Sequence, residues 1–84
     1  MNRVCLKYRG PLAALTGLCE ENAQVRDVEG ALRFIRERHG RKAEKTARAM
    51  LIALNGESIL LLKLYKTAVS EGDVVSFFPL SAGG

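Results

Sequence analysis

Residues 27–40 constrain the possible folds of this chain more than any other stretch. Asp27 is a good helix N-cap, because its carboxylate can accept from the unpaired amides of the first turn. Val28, Ala31, Leu32 and Ile35 follow at i, i+3, i+4 and i+7 and make one apolar stripe. Arg33, Arg36 and Glu37 fall off the stripe, Phe34 borders it, and Gly40 ends the helix as a C′ residue. His39 returns to the stripe near the negative end of the helix dipole, a place where histidine is structural far more often than catalytic. A helix with one apolar face must bury that face on another layer. The segments on either side of this one read as strands, so the layer is a sheet.

Val4, Leu6 and Tyr8 alternate with Cys5 and Lys7, the period of a half-buried strand. Gly10-Pro11 interrupts it. Residues 12–18 are expected to form a short apolar loop, closed by Gly17, that folds over one end of the core. Residues 19–25 read as a second strand, antiparallel to the first. After the helix, residues 41–49 are charged and free of Pro and Gly, which fits a second short helix or an extended turn.

Residues 50–54 are continuously apolar, as in a strand covered on both faces. Asn55-Gly56 signals a tight turn. Residues 58–65 are apolar again and are expected to return as a strand with Leu60, Leu62 and Leu64 on one face. That leucine-rich run either packs under the charged helix or is a partner-binding patch. Glu71-Gly72-Asp73 is a turn, and residues 74–78 are β-branched and aromatic, hence a strand. Pro79 lacks a ladder donor and ends the pairing. The order strand, strand, helix, strand, short strand, strand gives an α+β roll with a mixed sheet of four to five strands and one main helix on it. In a β-grasp arrangement the first and last strands lie side by side, parallel, in mid-sheet. The expected division is a domain of residues 1–79 and a flexible tail of residues 80–84.

Bulk properties exclude several function classes. A chain of 84 residues is one small domain, and such a chain buries only about 60% of its unfolded surface. That leaves little room for a catalytic cleft within its own walls. No apolar run approaches the roughly 18 residues needed to cross a membrane. The N-terminus enters a strand pattern directly and lacks the apolar core of a signal peptide, so a cytoplasmic protein is expected. Cys5 and Cys19 are isolated and His39 is the one histidine, too few ligands for a metal site. The thiols read as reduced and structural. No nucleophile–base pair, carboxylate dyad or phosphate-binding glycine loop is present, so the protein is not expected to be an enzyme on its own.

The formal charge is +4. Much of the excess lies in Arg33, Arg36, Arg38, Arg41, Lys42, Lys45 and Arg48, interleaved with Glu37 and Glu44. A solvated helical surface is the simplest reading. An acidic protein partner comes next, since charge complementarity mainly steers encounter. A basic RNA-binding module is the reading from a different class.

Two glycines, Gly83 and Gly84, close the sequence after Ser81 and Ala82. Such an end is sterically thin, and its one reactive group is the carboxylate of Gly84. From Pro79 the extended reach to Gly84 is roughly 17 Å.

Several of these segments together resemble the ubiquitin-like sulfur-carrier family that contains MoaD, the molybdopterin synthase small subunit, and ThiS, the thiamine sulfur carrier. Glu71-Gly72-Asp73-Val74-Val75 is similar to the family's turn and final strand. Phe77-Phe78-Pro79 followed by Ala82-Gly83-Gly84 resembles the MoaD ending, with Leu80-Ser81 where that branch often carries Pro-Val. Asn55-Gly56 resembles the family hairpin, Val28-Glu29-Gly30-Ala31-Leu32 its first helix, and residues 12–17 a loop of the MoaD branch.

The resemblance implies a β-grasp (ubiquitin-like) roll and a carrier role. A ubiquitin-activating-type adenylyltransferase would use ATP to adenylate Gly84. A sulfur donor of the cysteine desulfurase or rhodanese type would then convert it to a thiocarboxylate. A molybdopterin synthase large subunit would receive the sulfur for the molybdenum or tungsten cofactor. Ser81, Ala82 and Gly83 would thread the partner's pocket, while Phe77, Phe78, Pro79 and Leu80 would form the contact surface. No permanently bound cofactor and no metal is expected. The same chemistry also serves thiamine synthesis, tRNA thiolation, amino-acid synthesis and ubiquitin-like protein modification.

Overall fold

A computed structural model describes residues 1–80, and the expectations placed on Ser81, Ala82, Gly83 and Gly84 lie outside the described residues. The elements are β1 (Asn2–Lys7), α1 (Gly10–Thr16), β2 (Glu20–Val25), α2 (Val28–His39), α3 (Arg41–Arg48), β3 (Leu51–Leu54), β4 (Glu57–Ser58) and β5 (Val74–Phe78). Single 3₁₀ turns occupy Ile59–Leu61 and Leu64–Lys66.

The five strands form one mixed sheet in the order β2-β1-β5-β3-β4. β1 runs antiparallel to β2, from Asn2 opposite Val25 to Lys7 opposite Glu20. β1 and β5 run parallel, with Leu6 beside Val75. β5 pairs antiparallel with β3, placing Ile52 opposite Phe77 and Leu51 opposite Phe78. The last strand therefore has a partner on each side, as expected for a β-grasp roll. A parallel pair needs a long crossover, and α2 lies within it.

The sheet's inner face and the helical stripe form one core. Val4, Leu6 and Tyr8 alternate inward from β1 and its extension, and Ala23 and Val25 do so from β2. Val75, Phe77 and Ile52 meet them from the two strands beyond. Val28, Ala31, Leu32 and Ile35 close over this face with no exposed surface. Burying a side chain the size of Leu32 contributes roughly 1.5–3 kcal/mol, and truncating it to alanine costs about 2–5 kcal/mol because a cavity remains. The Asp27 carboxylate accepts from the Gly30 amide at 2.7 Å, the cap its position predicts.

Four expectations need correction or completion. Residues 12–18 do not form a loop: α1 begins at Gly10, carries Pro11 in its first turn, where no amide is needed, and stops at Gly17, whose φ is +74°. Leu12 of that helix is buried. Residues 41–49 are resolved between the two readings as the helix α3, with Ala43 and Ala47 buried one turn apart.

Residues 58–65 do not return as a strand. Pairing ends at Ser58, opposite Ala53, and the chain then turns through i→i+3 bonds from Leu62 to Ile59 and from Lys66 to Lys63. Leu64 has a φ of +54°, which no strand accommodates. Ile59 is the residue that buries, while Leu60, Leu61 and Leu64 are exposed. Finally, β3 is covered on both faces at its centre, where Ile52 and Ala53 are buried on opposite sides, but its first residue, Leu51, reaches the surface.

Candidate functional site

β5 fixes where the chain leaves the sheet. Phe77 is fully buried, its ring 5.9 Å from that of Tyr8. It was expected on the contact surface, but the alternation of β5 turns its side chain inward, so it anchors the strand instead. Phe78 points to the opposite face, half-buried, with the Arg9 guanidinium 5.4 Å above its ring. Pro79 is exposed and packs beside Gly10, where an added Cβ would come within 3.1 Å of Pro79 Cγ. Leu80 is 63% exposed, and residues 81–84 follow it beyond the described part.

Leu80 borders an apolar groove of about 420 Å³. Leu51 of β3, the turn residues Leu60, Leu64 and Tyr65, and Arg48 of α3 line it with Leu80. Part of the leucine run is therefore surface rather than an underlay for the helix. The groove's shape depends on Arg48. Its guanidinium reaches both Glu29 oxygens, at 3.1 and 2.8 Å, and Glu44 at 2.9 Å, and it lies 5.1 Å over the Tyr65 ring. Its hydrogen bonds and charge hold the Glu29 carboxyl below the usual carboxylate range. One side chain thus ties α2, α3 and the second 3₁₀ turn together.

The turn that resembles the family motif is structural. The Asn55 side-chain amide donates to Asp73 Oδ1 at 3.0 Å, while Asn55 Oδ1 accepts from the Val74 amide at 2.8 Å. Asp73 Oδ2 accepts from the Ser70 amide at 2.7 Å, and Glu71 Oε1 accepts from the Arg3 amide at 2.8 Å. These bonds fasten the start of β5, at the sheet end opposite Leu80. Nothing in the local pattern of Asn55-Gly56 or Glu71-Gly72-Asp73 indicates that the two turns meet.

A buried polar cluster braces the other end. Tyr8 Oη donates to Glu21 Oε2 at 2.6 Å, His39 Nε2 lies 2.5 Å from the same oxygen, and Arg38 Nε reaches Glu21 Oε1 at 3.2 Å. Burial, the bond to Glu21 and that residue's charge together push the Tyr8 hydroxyl well above its ordinary pKa. His39 thus closes the end of α2 onto β2. The Cys5 thiol is also pushed up, first by burial and then by Glu20, which keeps it protonated and a weak nucleophile. Among the described residues no cluster of three or more His, Cys, Asp or Glu could hold a metal ion. No helix among them is long and apolar enough to cross a membrane.

The site therefore consists of a strand exit and an apolar groove beside it, with Arg9 over Phe78 and the paired Arg48 in the groove wall. The model of the ThiS family matches residues 6–84. No curated protein matches the chain. Among solved structures the chain is similar to the small archaeal modifier protein 1 of Methanosarcina acetivorans, with a TM-score of 0.86 at 20% identity, covering 100% of this chain and 98% of that one. It is similar to a chain of the BexX/CysO complex of Amycolatopsis orientalis, with a TM-score of 0.83 at 20% identity over 96% of this chain and 99% of that one. It is also similar to a chain of the complex of subunits 1 and 2 of the molybdopterin-converting factor from Helicobacter pylori, with a TM-score of 0.70 at 22% identity over 98% and 99%. At these identities the structural likenesses establish the fold.

Proposed function

The chain belongs to the ThiS family of ubiquitin-like carriers, and from that premise we propose that it carries sulfur on the Gly84 carboxylate for molybdopterin synthesis, as the small subunit of the synthase. The observation that carries this reading is the placement of β5. A central strand, paired on both sides, delivers Pro79 and Leu80 to the surface. The sequence beyond them is small side chains ending in two glycines.

The chemistry belongs to the partners. The Gly84 carboxylate attacks the α-phosphorus of ATP in an adenylyltransferase, pyrophosphate leaves, and the acyl adenylate has AMP as a good leaving group. A persulfide sulfur from the donor attacks the acyl carbon and AMP departs. A thiol then cleaves the sulfur–sulfur bond, leaving the thiocarboxylate. Two such carriers supply the dithiolene sulfurs to a pterin precursor on the large subunit.

This chain's own part is to present the end and to be recognised. Ser81, Ala82 and Gly83 add little bulk in a narrow channel. Phe78, Pro79 and Leu80, with Leu60 and Leu64 across the groove, offer apolar contact to the partner. Protein modification through the same acyl adenylate is a second reading, supported by the similarity to an archaeal modifier protein.

Intact-mass spectrometry tests the proposal. The protein is incubated with ATP, the adenylyltransferase of its own organism and a sulfur donor. The expected result is the gain for one oxygen replaced by sulfur, absent when Gly84 is deleted. No gain with an adenylyltransferase that demonstrably binds the chain overturns it. Slow-migrating conjugates that vanish with Gly84 would favour the second reading.

A further inference from the structure

The chain's net charge of +4 is not spread evenly once its internal ion pairs are accounted for. Among the described residues, Glu29 and Glu44 are taken up by Arg48 and Arg33, and Glu21 by Arg38 and His39. The carboxylates that alternate with cations in the helical sequence are thus largely neutralised within the fold. The exposed cations that take part in none of these pairs fall into two sets: Arg3, Arg26, Lys63 and Lys66, matched in number by the equally unpaired Asp27, Glu57, Glu71 and Asp73, and Arg9, Arg36, Arg41, Lys42 and Lys45.

The topology gathers the second set at one end of the molecule. β1 and β5 are parallel, so Arg9 follows β1 at the end where β5 gives out, and its guanidinium lies over Phe78. α2 starts beyond the far end of β2 and returns to finish at His39, bonded to Glu21 in the second position of β2. α3 leads from there to β3, whose first residue, Leu51, pairs with Phe78. α3 therefore crosses the end from which the tail departs, with Arg41, Lys42 and Lys45 outward and Ala43 and Ala47 inward. Two exposed carboxylates share this end, Glu20 and Glu37, against the five free cations.

The geometry points to a basic collar around the tail exit that docks against an acidic rim on the partner whose channel receives residues 81–84. This rests on the carrier reading and adds the partner's chemistry to it. A protein rim fits better than nucleic acid. The collar adjoins an apolar groove, and its aromatic rings are half-buried with a guanidinium already over one face, Arg48 on Tyr65 and Arg9 on Phe78, which leaves bases little ring surface to stack on. Opposed charges around a tail exit speed encounter and orient the tail before it enters.

The test compares the full chain with an R41E/K42E/K45E variant. All three positions are exposed; acids at 41 and 42 lie in the first turn of α3 and suit its helix dipole, the acid at 45 lies in the last turn and opposes it, and the effects offset, so the variant should fold with an unchanged circular dichroism spectrum. Binding to the organism's own adenylyltransferase is measured by titration calorimetry, and ATP–pyrophosphate exchange separately, from about 0.1 M to about 1 M NaCl, where the screening length falls from roughly 10 to 3 Å. The expected result is wild-type binding that weakens about tenfold across this range, and a variant at least about tenfold weaker at low salt, with exchange kcat unchanged.

Equal affinity and equal salt response of variant and wild type overturn the collar while leaving the carrier reading intact. Salt-sensitive binding lost in the variant, but no exchange by the wild type, supports the collar and overturns the carrier reading. A single-stranded RNA that binds wild type more tightly than the enzyme does, and not the variant, overturns the protein partner in favour of nucleic acid.

Discussion

The Tyr8 hydroxyl donates to Glu21 Oε2 across 2.6 Å, joining the extension of β1 to the start of β2 beneath the end of α2. The pair is largely buried, and His39 and Arg38 complete the carboxylate's partners. Tyr8→Phe removes one donor to a buried charge and should cost about 1.5–3 kcal/mol in chemical denaturation. The raised hydroxyl pKa also fixes a sign. The unfolded tyrosine ionises near pH 10 and the folded one higher, so its stabilisation is complete below about pH 10 and falls as pH rises beyond it. The wild-type minus Tyr8→Phe stability difference should shrink above that pH. A difference constant through the alkaline range would refute the assignment.

Arg48 and Glu29 give the opposite limb. The folded Glu29 pKa is lowered, so its contribution is present above the ordinary carboxylate range and is lost as pH falls through the folded value. Glu29→Gln should therefore lower the melting temperature at neutral pH and converge with wild type in acid. Arg48→Ala should cost roughly 1 kcal/mol and loosen Tyr65, which fluorescence anisotropy of the tyrosines would register.

Leu60 is 70% exposed on the groove, whereas its neighbour Ile59 is buried. Leu60→Ser should change stability by less than about 0.5 kcal/mol while raising the KM of adenylation or of sulfur transfer several-fold. Ile59→Ala should cost about 2–5 kcal/mol. Thermal melts and steady-state kinetics on both variants separate surface from core.

Gly10 has a φ of +56° and lies against Pro79. Gly10→Ala combines left-handed strain with a contact that Pro79 must yield to. A loss of about 1–2 kcal/mol is expected, together with a shift of the Pro79 ring-proton and Leu80 amide resonances in NMR spectra, since the added methyl presses on the Pro79 ring. An unperturbed Pro79 would show that the tail base is not held by α1.

The amphipathic stripe from Val28 to Ile35, the alternation of Val4, Leu6 and Tyr8, and the β-branched residues of β5 are local patterns with one economical solution. They specify a helix on a sheet, and with the Phe-Phe-Pro and Gly-Gly ending they point to a carrier. The groups that shape the surface depend on contacts between residues distant in sequence, which periodicity does not encode. The leucines of 60–64 read as a strand because apolar composition is similar in strands and in 3₁₀ turns. Only the sheet's width, ending at Ser58, decides that they turn and become a groove. Glu37 and Glu44 read in sequence as part of a solvated helical surface. In the fold Glu44 and Glu29 pair with Arg48, and Glu21 with Arg38 and His39, so these carboxylates do not offset Arg41, Lys42 and Lys45 on α3. The residues of the Gly-Gly end are legible in the sequence; the end of the molecule from which they depart, and the charges around that exit, follow from the parallel pairing of β1 with β5.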